Sequence, residues 1–276
     1  MAFTDILLHI QGYPEETSLD AIDDAVRLAG RLGATMTALA TPVRISFQPN
    51  WLAERLVGLT DLAREAEQRC AATCKERLDR FVSLAARRGV AAVASTVVEE
   101  VSGIPTLFSQ IASGYDFCVH IPPARGLDKI LVEAVIFQSG RPVLILPAGS
   151  PTDFDSVAVA WDGGGAAARA LNDSLPLLRA AKTVEVILAE EDKPRRQDAL
   201  QQALRHLERH GVAAKPRMLA AKGRPAAVVL QHYLETQTPD LLVMGAYGHS
   251  RLREMVLGGV TDHMLSDPRT PVWFSH

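Results

Sequence analysis

The sequence predicts an α/β protein built from two tandem, doubly wound domains, each with a five-stranded parallel sheet. Three observations lead there. Short apolar runs alternate with amphipathic stretches along the whole chain, the pattern of βαβ units with right-handed crossovers. The runs are continuously apolar, as in SVAVAW at Ser156–Trp161, which fits a sheet covered on both faces. The order of elements then repeats once, with a period near half the chain. The halves are placed at residues 1–148 and 153–276, with Gly149-Ser150-Pro151-Thr152 as a short linker.

In the first half, DILLHI at Asp5–Ile10 is a strand. Thr17-x-x-Asp20 has the form of a capping box, and Ile22, Ala25, Val26 and Ala29 mark the apolar face of the helix it would open. Gly33 ends that helix and Thr35–Ala40 is the next strand. A long helix is expected from about Asp61 to Arg88, then a strand near Val90–Val98 and a helix near Ile104–Ala112. A strand at Asp116–Ile121, a helix near Leu127–Gln138 and a strand at Val143–Leu146 complete the half. The second half repeats this order. It has a strand at Ser156–Trp161, a helix at Ala166–Ala181, a strand at Val184–Ala189 and a helix marked by Leu200, Ala203, Leu204 and Leu207. A weak strand at Arg217–Ala221, a helix at Pro225–Glu235 and strands at Leu241–Met244 and Val272–Phe274 follow.

The composition narrows the function classes. An apolar fraction of 47% and a charged fraction of 22% in 276 residues are those of a soluble globular chain. The net charge of −3, with Lys and Arg dispersed, gives no reason to expect nucleic acid. No apolar run approaches the ~18 residues of a membrane span. The segment MAFTDILLHIQG has an acid before its apolar run and no basic region, unlike a signal peptide. Three cysteines, an odd number, suit a reducing compartment, so a cytoplasmic location is expected. Cys70 and Cys74 stand one turn apart on the long helix, on the stripe continued by Leu78, Phe81 and Ala85. That position favours core packing, with soft-metal binding or oxidant sensing as the alternatives; two thiolates make a poor zinc site.

The residues that carry chemistry lie in DLLVMGAYGHSRLREMVLGGV, Asp240–Val260. An apolar strand runs into Gly245 and Gly248, and a helix-like segment leads to Gly258-Gly259. Glycines at a strand end admit close backbone approach by a ligand, and a following helix offers unpaired N–H groups and a positive dipole end to phosphate. The spacing Gly-x2-Gly-x9-Gly resembles the motif of the universal stress protein family, whose nucleotide-binding members hold ATP with it. The likeness is clear in the second half and weaker in the first. It implies the adenine nucleotide alpha hydrolase-like fold in each half. It also implies a stress-response regulator or sensor that binds an adenine nucleotide (ATP, with AMP or ADP open, and Mg with ATP). One position departs from the family motif: Gly259 stands where it has Ser or Thr, so a hydroxyl contact is lost.

The resemblance also assigns positions. Asp162, ending the first strand of the second half within WDGGG, would accept hydrogen bonds from the adenosine; as a residue before a helix it could equally cap that helix. Ala189 matches the position whose backbone meets adenine. Met244 would pack near the base or sugar, Gly245 and Gly248 would approach ribose and phosphates, and Gly258, Gly259 and Val260 would offer N–H groups. His249 could add a donor, as could Ser250, Arg251 and Arg253, although a solvated helix face accounts for these four. No catalytic residue and no metal site are assigned.

The first half lacks these features. Gln11 aligns with Asp162, and Ile121 and Ala124 align with Gly245 and Gly248. Pro122 and Pro123 remove N–H donors, so no nucleotide is expected there by this mode. The stretch Thr41–Thr60, with Phe47, Trp51 and Leu52, is longer than its counterpart and could cover a cleft or a partner surface. With the Walker A pattern absent, at most slow ATP hydrolysis is expected. Two other readings stay open. One is a nucleotide-free scaffold of the same fold. The other is a dinucleotide-dependent enzyme, from Gly163-x-Gly165-x-x-Ala168 with Glu190 at the end of the next strand. The resemblance also implies how the halves meet: bare edge strands invite pairing, and domains of this family commonly dimerise through their last strands, so Val143–Leu146 and Val272–Phe274 are expected to join the halves as an intramolecular pseudo-dimer, with a homodimer also open.

Overall fold

The structure, a computed structural model, describes residues 2–46, 58–122, 129–190, 195–246, 260–266 and 268–276. The first half runs β1 (Asp5–Ile10), α1 (Leu19–Leu32), β2 (Thr35–Ala40), β3 (Val43–Arg44), α2 (Leu59–Arg88) and β4 (Ala92–Thr96). It continues with β5 (Glu99–Glu100), α3 (Ile104–Ala112), β6 (Phe117–His120), α4 (Lys129–Ala134) with a π-helical extension at Val135–Ser139, and β7 (Val143–Ile145). The second half runs β8 (Ser156–Ala160), α5 (Gly165–Asp173), α6 (Leu175–Ala180), β9 (Thr183–Glu190), α7 (Arg195–Arg209) and β10 (Ala214–Ala220). It closes with α8 (Ala226–Gln237), β11 (Leu241–Gly245), α9 (Val260–Ser266) and β12 (Val272–Ser275).

Ten strands form one sheet in the order β10-β9-β8-β11-β12-β7-β6-β1-β2-β4. Within each half the pairing is parallel and the spatial order is third, second, first, fourth, fifth strand. The halves meet where β12 pairs antiparallel with β7, Trp273 opposite Leu144 and Phe274 opposite Val143. These are the two strands that the resemblance implied would join the halves. Trp273 is fully buried and sits among Phe3 and Phe117 of the first half, with ring centroids 5.5 and 4.9 Å away.

Two apolar layers explain why the strands read as continuous apolar runs. Ile6, Leu8 and Ile10 of β1 face α1 and α2, while Leu7 faces the opposite layer with Phe108 of α3 and Leu131 of α4. In the second half α5, α6 and α7 cover one face, and α8 and α9 the other. Each strand therefore buries both sets of alternating side chains.

Three local expectations are corrected. Thr17 does not close a capping box: Ser18 is the cap position of α1 and makes no side-chain cap bond, while the Thr17 hydroxyl accepts the Gln11 N–H at 2.8 Å. The single helix expected at Ala166–Ala181 is broken at Ser174, because Pro176 in the first turn of α6 cannot donate to the preceding turn. The small parallel pair β3–β5 lies outside the main sheet and had no expected counterpart. Within Thr41–Thr60, Phe47, Trp51 and Leu52 lie outside the described residues.

Candidate functional site

In the second half the strand order reverses between β8 and β11, and the crevice beyond their carboxyl ends is the expected ligand position in an open α/β sheet. The registers fix what lies there. Ala160 of β8 is level with Ile187 of β9 and Met244 of β11. Asp162 follows two residues beyond the end of β8, at the end of the sheet where β9 runs on to Glu190 and β11 to Gly245.

The chain reaches α5 from β8 in four residues, Trp161–Gly164. Gly163 has φ +78°, a left-handed conformation that only glycine adopts without strain. Gly164 is the cap position of α5, and its N–H donates to Asp162 Oδ1 at 2.7 Å. The carboxylate of Asp162 therefore shapes the entry to α5 and sits beside its positive end, a favourable place for negative charge. The expected capping of α5 by Asp162 is corrected: Gly164 holds the cap position without a side-chain cap bond, and the Asp162 carboxylate closes the turn before it, which leaves the acceptor reading compatible with that position.

Gly245 is explained by packing. A Cβ on it would lie 2.4 Å from the Ala167 backbone nitrogen and 2.5 Å from the Ala166 carbonyl carbon. Its missing side chain lets the first turn of α5 rest directly on the end of β11. The run of alanines after Gly165 supplies the matching small surface, and it is the sequence signal for this contact. Beyond β11, the Ala246 N–H donates to the Ser275 carbonyl at 2.8 Å, and its carbonyl accepts from His276 Nδ1 at 2.9 Å. Arg169 of α5 in turn donates to the His276 carbonyl at 2.6 Å. These contacts tie α5, β11 and β12 together at the crevice, and no short motif in the sequence marks them. Further along α5, burial raises the Asp173 carboxyl above its ordinary range.

The other assigned positions divide. Met244 is buried in the apolar layer shared with α8 and α9, so its side chain is core. Ala189 lies near the end of β9, opposite Leu219 of β10. Val260 begins α9 and packs on the same layer as Met244. Gly248, His249, Gly258 and Gly259 lie outside the described residues. No cluster of three or more His, Cys, Asp or Glu able to hold a metal occurs among the described residues. No helix among them is long and apolar enough to cross a membrane.

Residues 153–276 match the universal stress protein family. The second half is a universal stress protein domain. A curated relative, universal stress protein Slr1230 of Synechocystis sp. (strain ATCC 27184 / PCC 6803 / Kazusa), is 31% identical over 149 residues. That alignment spans 51% of this chain and 49% of the relative, so the chain spans about half the length of the curated protein it matches. A universal stress protein from Archaeoglobus fulgidus DSM 4304 superimposes with a TM-score of 0.71 at 16% identity, covering 99% of this chain and 97% of that one. PA1789 of Pseudomonas aeruginosa PAO1, a protein of unknown function, gives 0.61 at 17% identity with 99% and 92% coverage. The α/β fold with its mostly parallel sheet is thus that of universal stress proteins along the whole chain.

The crevice of the first half differs from that of the universal stress protein domain. The chain takes eight residues, Gln11–Ser18, to pass from β1 to α1, so α1 does not close on β6 as α5 closes on β11. Ile121 is accordingly tolerated at the position of Gly245 and is buried. At the strand ends His9 and His120 stack, ring centroids 5.5 Å apart, with Phe108 edge-on to His9 at 4.8 Å. His9 Nε2 lies 3.4 Å from the Thr41 hydroxyl. Burial, and then the neighbouring His120, hold the His9 imidazole well below its usual range.

Proposed function

We propose that the universal stress protein domain binds an adenine nucleotide at the crevice between β8 and β11, and that the chain acts as a nucleotide-responsive regulator in the stress response. The observation that carries this reading is the reversal of strand order in the half that matches the family. Asp162 follows the end of β8 there, between the strands β9 and β11 that flank β8. Asp162 is suited to the ribose hydroxyls or the adenine amine, and the backbone near Ala189 to the base. The resemblance assigns Gly248, His249, Gly258, Gly259 and Val260 to the ribose and phosphates, and of these only Val260 is among the described residues. ATP with Mg is the form the motif favours. Regulation by occupancy, with at most slow hydrolysis, fits the lack of a Walker A sequence.

A nucleotide-free scaffold is the second reading, and one observation favours it: packing accounts for Gly245 and the turn into α5 for Asp162 without any ligand. Loss of one neutral hydrogen bond at Gly259 costs ~0.5–1.5 kcal/mol, which weakens binding rather than removing it. The test is calorimetric titration of the full chain with Mg-ATP, together with mass spectrometry of small molecules released on denaturation. The Asp162→Asn chain is the comparison, since asparagine keeps the acceptor for the Gly164 N–H and removes the charge. About one ATP or AMP per chain, bound roughly tenfold or more weakly by Asp162→Asn at unchanged stability, is the expected result. Absence of both released nucleotide and binding heat would leave the scaffold.

A further inference from the structure

A groove of about 480 Å³ runs between α5 and α7, on the outside of the second half. It touches the turn after β8 at Trp161, and neither Asp162 nor Gly245 lines it, so it stands apart from the nucleotide crevice. Leu171 of α5 and Ala203 of α7, both buried, give it an apolar base. Its rim carries hydrogen-bond donors: the guanidiniums of Arg205 and Arg209, the His206 ring and the amides of Asn172 and Gln202. No carboxylate lines it, and among the described residues neither guanidinium has a hydrogen bond or an ion pair.

The corresponding helices of the first half are joined differently. There Arg88, the last residue of α2, is held by Asp23 of α1 through hydrogen bonds of 3.0 and 2.8 Å. Across the groove from α7, α5 presents Ala168, Leu171 and Asn172, none of which can neutralise a cation. Arg205 and Arg209 stand four apart, over one strip of α7, and like charges at that spacing repel. In a chain of net charge −3 this is a local excess of unanswered positive charge. The Trp161 ring adds a flat apolar wall, and its indole nitrogen is buried without a hydrogen-bond partner, a state buried indoles usually avoid. His206 is steadied by His210, ring centroids 4.5 Å apart, and His210 Nδ1 accepts from Arg179 Nη2 at 3.1 Å.

We propose that this groove binds a small organic phosphate monoester, its phosphate between Arg205 and Arg209 and its apolar body on Leu171, Ala203 and the Trp161 ring. A phosphate monoester carries about −1.5 to −2 at pH 7, which two guanidiniums balance. Each guanidinium presents a fork of donors that fits phosphate oxygens in pairs. A monocarboxylate would leave one arginine unanswered, and inorganic phosphate would make no use of the apolar base. The volume lies within the ~300–1,000 Å³ of small-molecule sites.

The test is titration of the full chain with phenyl phosphate, followed through the indole N–H signals in proton–nitrogen correlation spectra. The Trp161 signal is assigned by its loss in Trp161→Phe. A saturable shift of that signal is expected, with the Trp273 signal unmoved. Affinity is expected to fall roughly tenfold or more in Arg205→Gln and in Arg209→Gln, both with the far-UV circular dichroism of the wild type. It should be unchanged in Asp162→Asn and in the presence of Mg-ATP, and inorganic phosphate should bind more weakly. No saturable shift at millimolar phenyl phosphate overturns the proposal, as does wild-type affinity in both arginine variants. Equal binding of inorganic phosphate would mark an adventitious ion only, and displacement by Mg-ATP would return the ligand to the nucleotide crevice; either result also overturns it.

Discussion

Gly245→Ala tests whether the glycine that begins the motif serves the fold. The added Cβ would meet the Ala167 nitrogen at 2.4 Å and the Ala166 carbonyl carbon at 2.5 Å, about 1 Å short of ordinary 3.4 Å contact. Both atoms are backbone, so no side-chain rotation relieves the clash and the first turn of α5 must move. Overpacking of this kind typically costs ~1–3 kcal/mol. With an m value near 2 kcal/mol/M, a loss of about 2 kcal/mol lowers the urea midpoint by about 1 M. Tryptophan fluorescence during urea unfolding reads it, with Trp161 next to the affected turn. Because Gly164 and Asp162 move with α5, Mg-ATP binding is expected to weaken in parallel. A midpoint equal to that of the wild type would refute the packing argument and assign the glycine to ligand approach alone. A bulky residue at Gly245 therefore cannot separate binding from folding, and Asp162→Asn is the cleaner probe of the nucleotide.

Two further outcomes follow from the rest of the structure. Folded His9 has a depressed pKa through burial and then His120, so below about pH 6.5 the unfolded chain binds the proton that the folded chain refuses. Stability is unaffected above that pH and falls below it, by up to ~1.4 kcal/mol per pH unit for one proton, until the lower folded pKa is passed. Denaturant midpoints measured between pH 7 and 5 should show a shallower decline in His9→Phe, and an unchanged slope would remove His9 as the cause. Trp273→Ala removes a fully buried side chain that packs on Phe3 and Phe117 across the junction of the halves, at a cost of ~3–5 kcal/mol. Because the lost contacts belong to both halves, calorimetry should show the thermal transitions of both moving down; a shift confined to one would contradict the shared sheet.

The elements were legible in the sequence because their signals are local. The runs at Asp5–Ile10, Thr35–Ala40 and Leu241–Met244 appear as strands, and Ile104–Ala112 is a helix to the residue. Pro176 marks the break between α5 and α6, a local signal that the expectation of one helix over Ala166–Ala181 did not use. Of the candidate site, Ala189 and Gly245 lie at the carboxyl ends of β9 and β11 and Asp162 follows β8; their roles toward a nucleotide belong to the proposal. Met244 was visible only as an apolar residue before a glycine; which face of the strand it occupies depends on register.

What the sequence alone determined is the alternation of strands and helices and its duplication, since both depend on residue type and short-range period; the strands that join the halves were implied by the family resemblance. The strand order, the single ten-stranded sheet, the diversion of the Thr17 hydroxyl to Gln11, the stacking of His9 on His120 and the contact of Gly245 with α5 were decided only in three dimensions. Each joins residues far apart in the chain or depends on loop geometry, and local propensity has no term for such a meeting. Four residues between β8 and α5, against eight between β1 and α1, set whether a helix closes on the neighbouring strand. That difference in reach makes glycine necessary at 245 and isoleucine acceptable at 121.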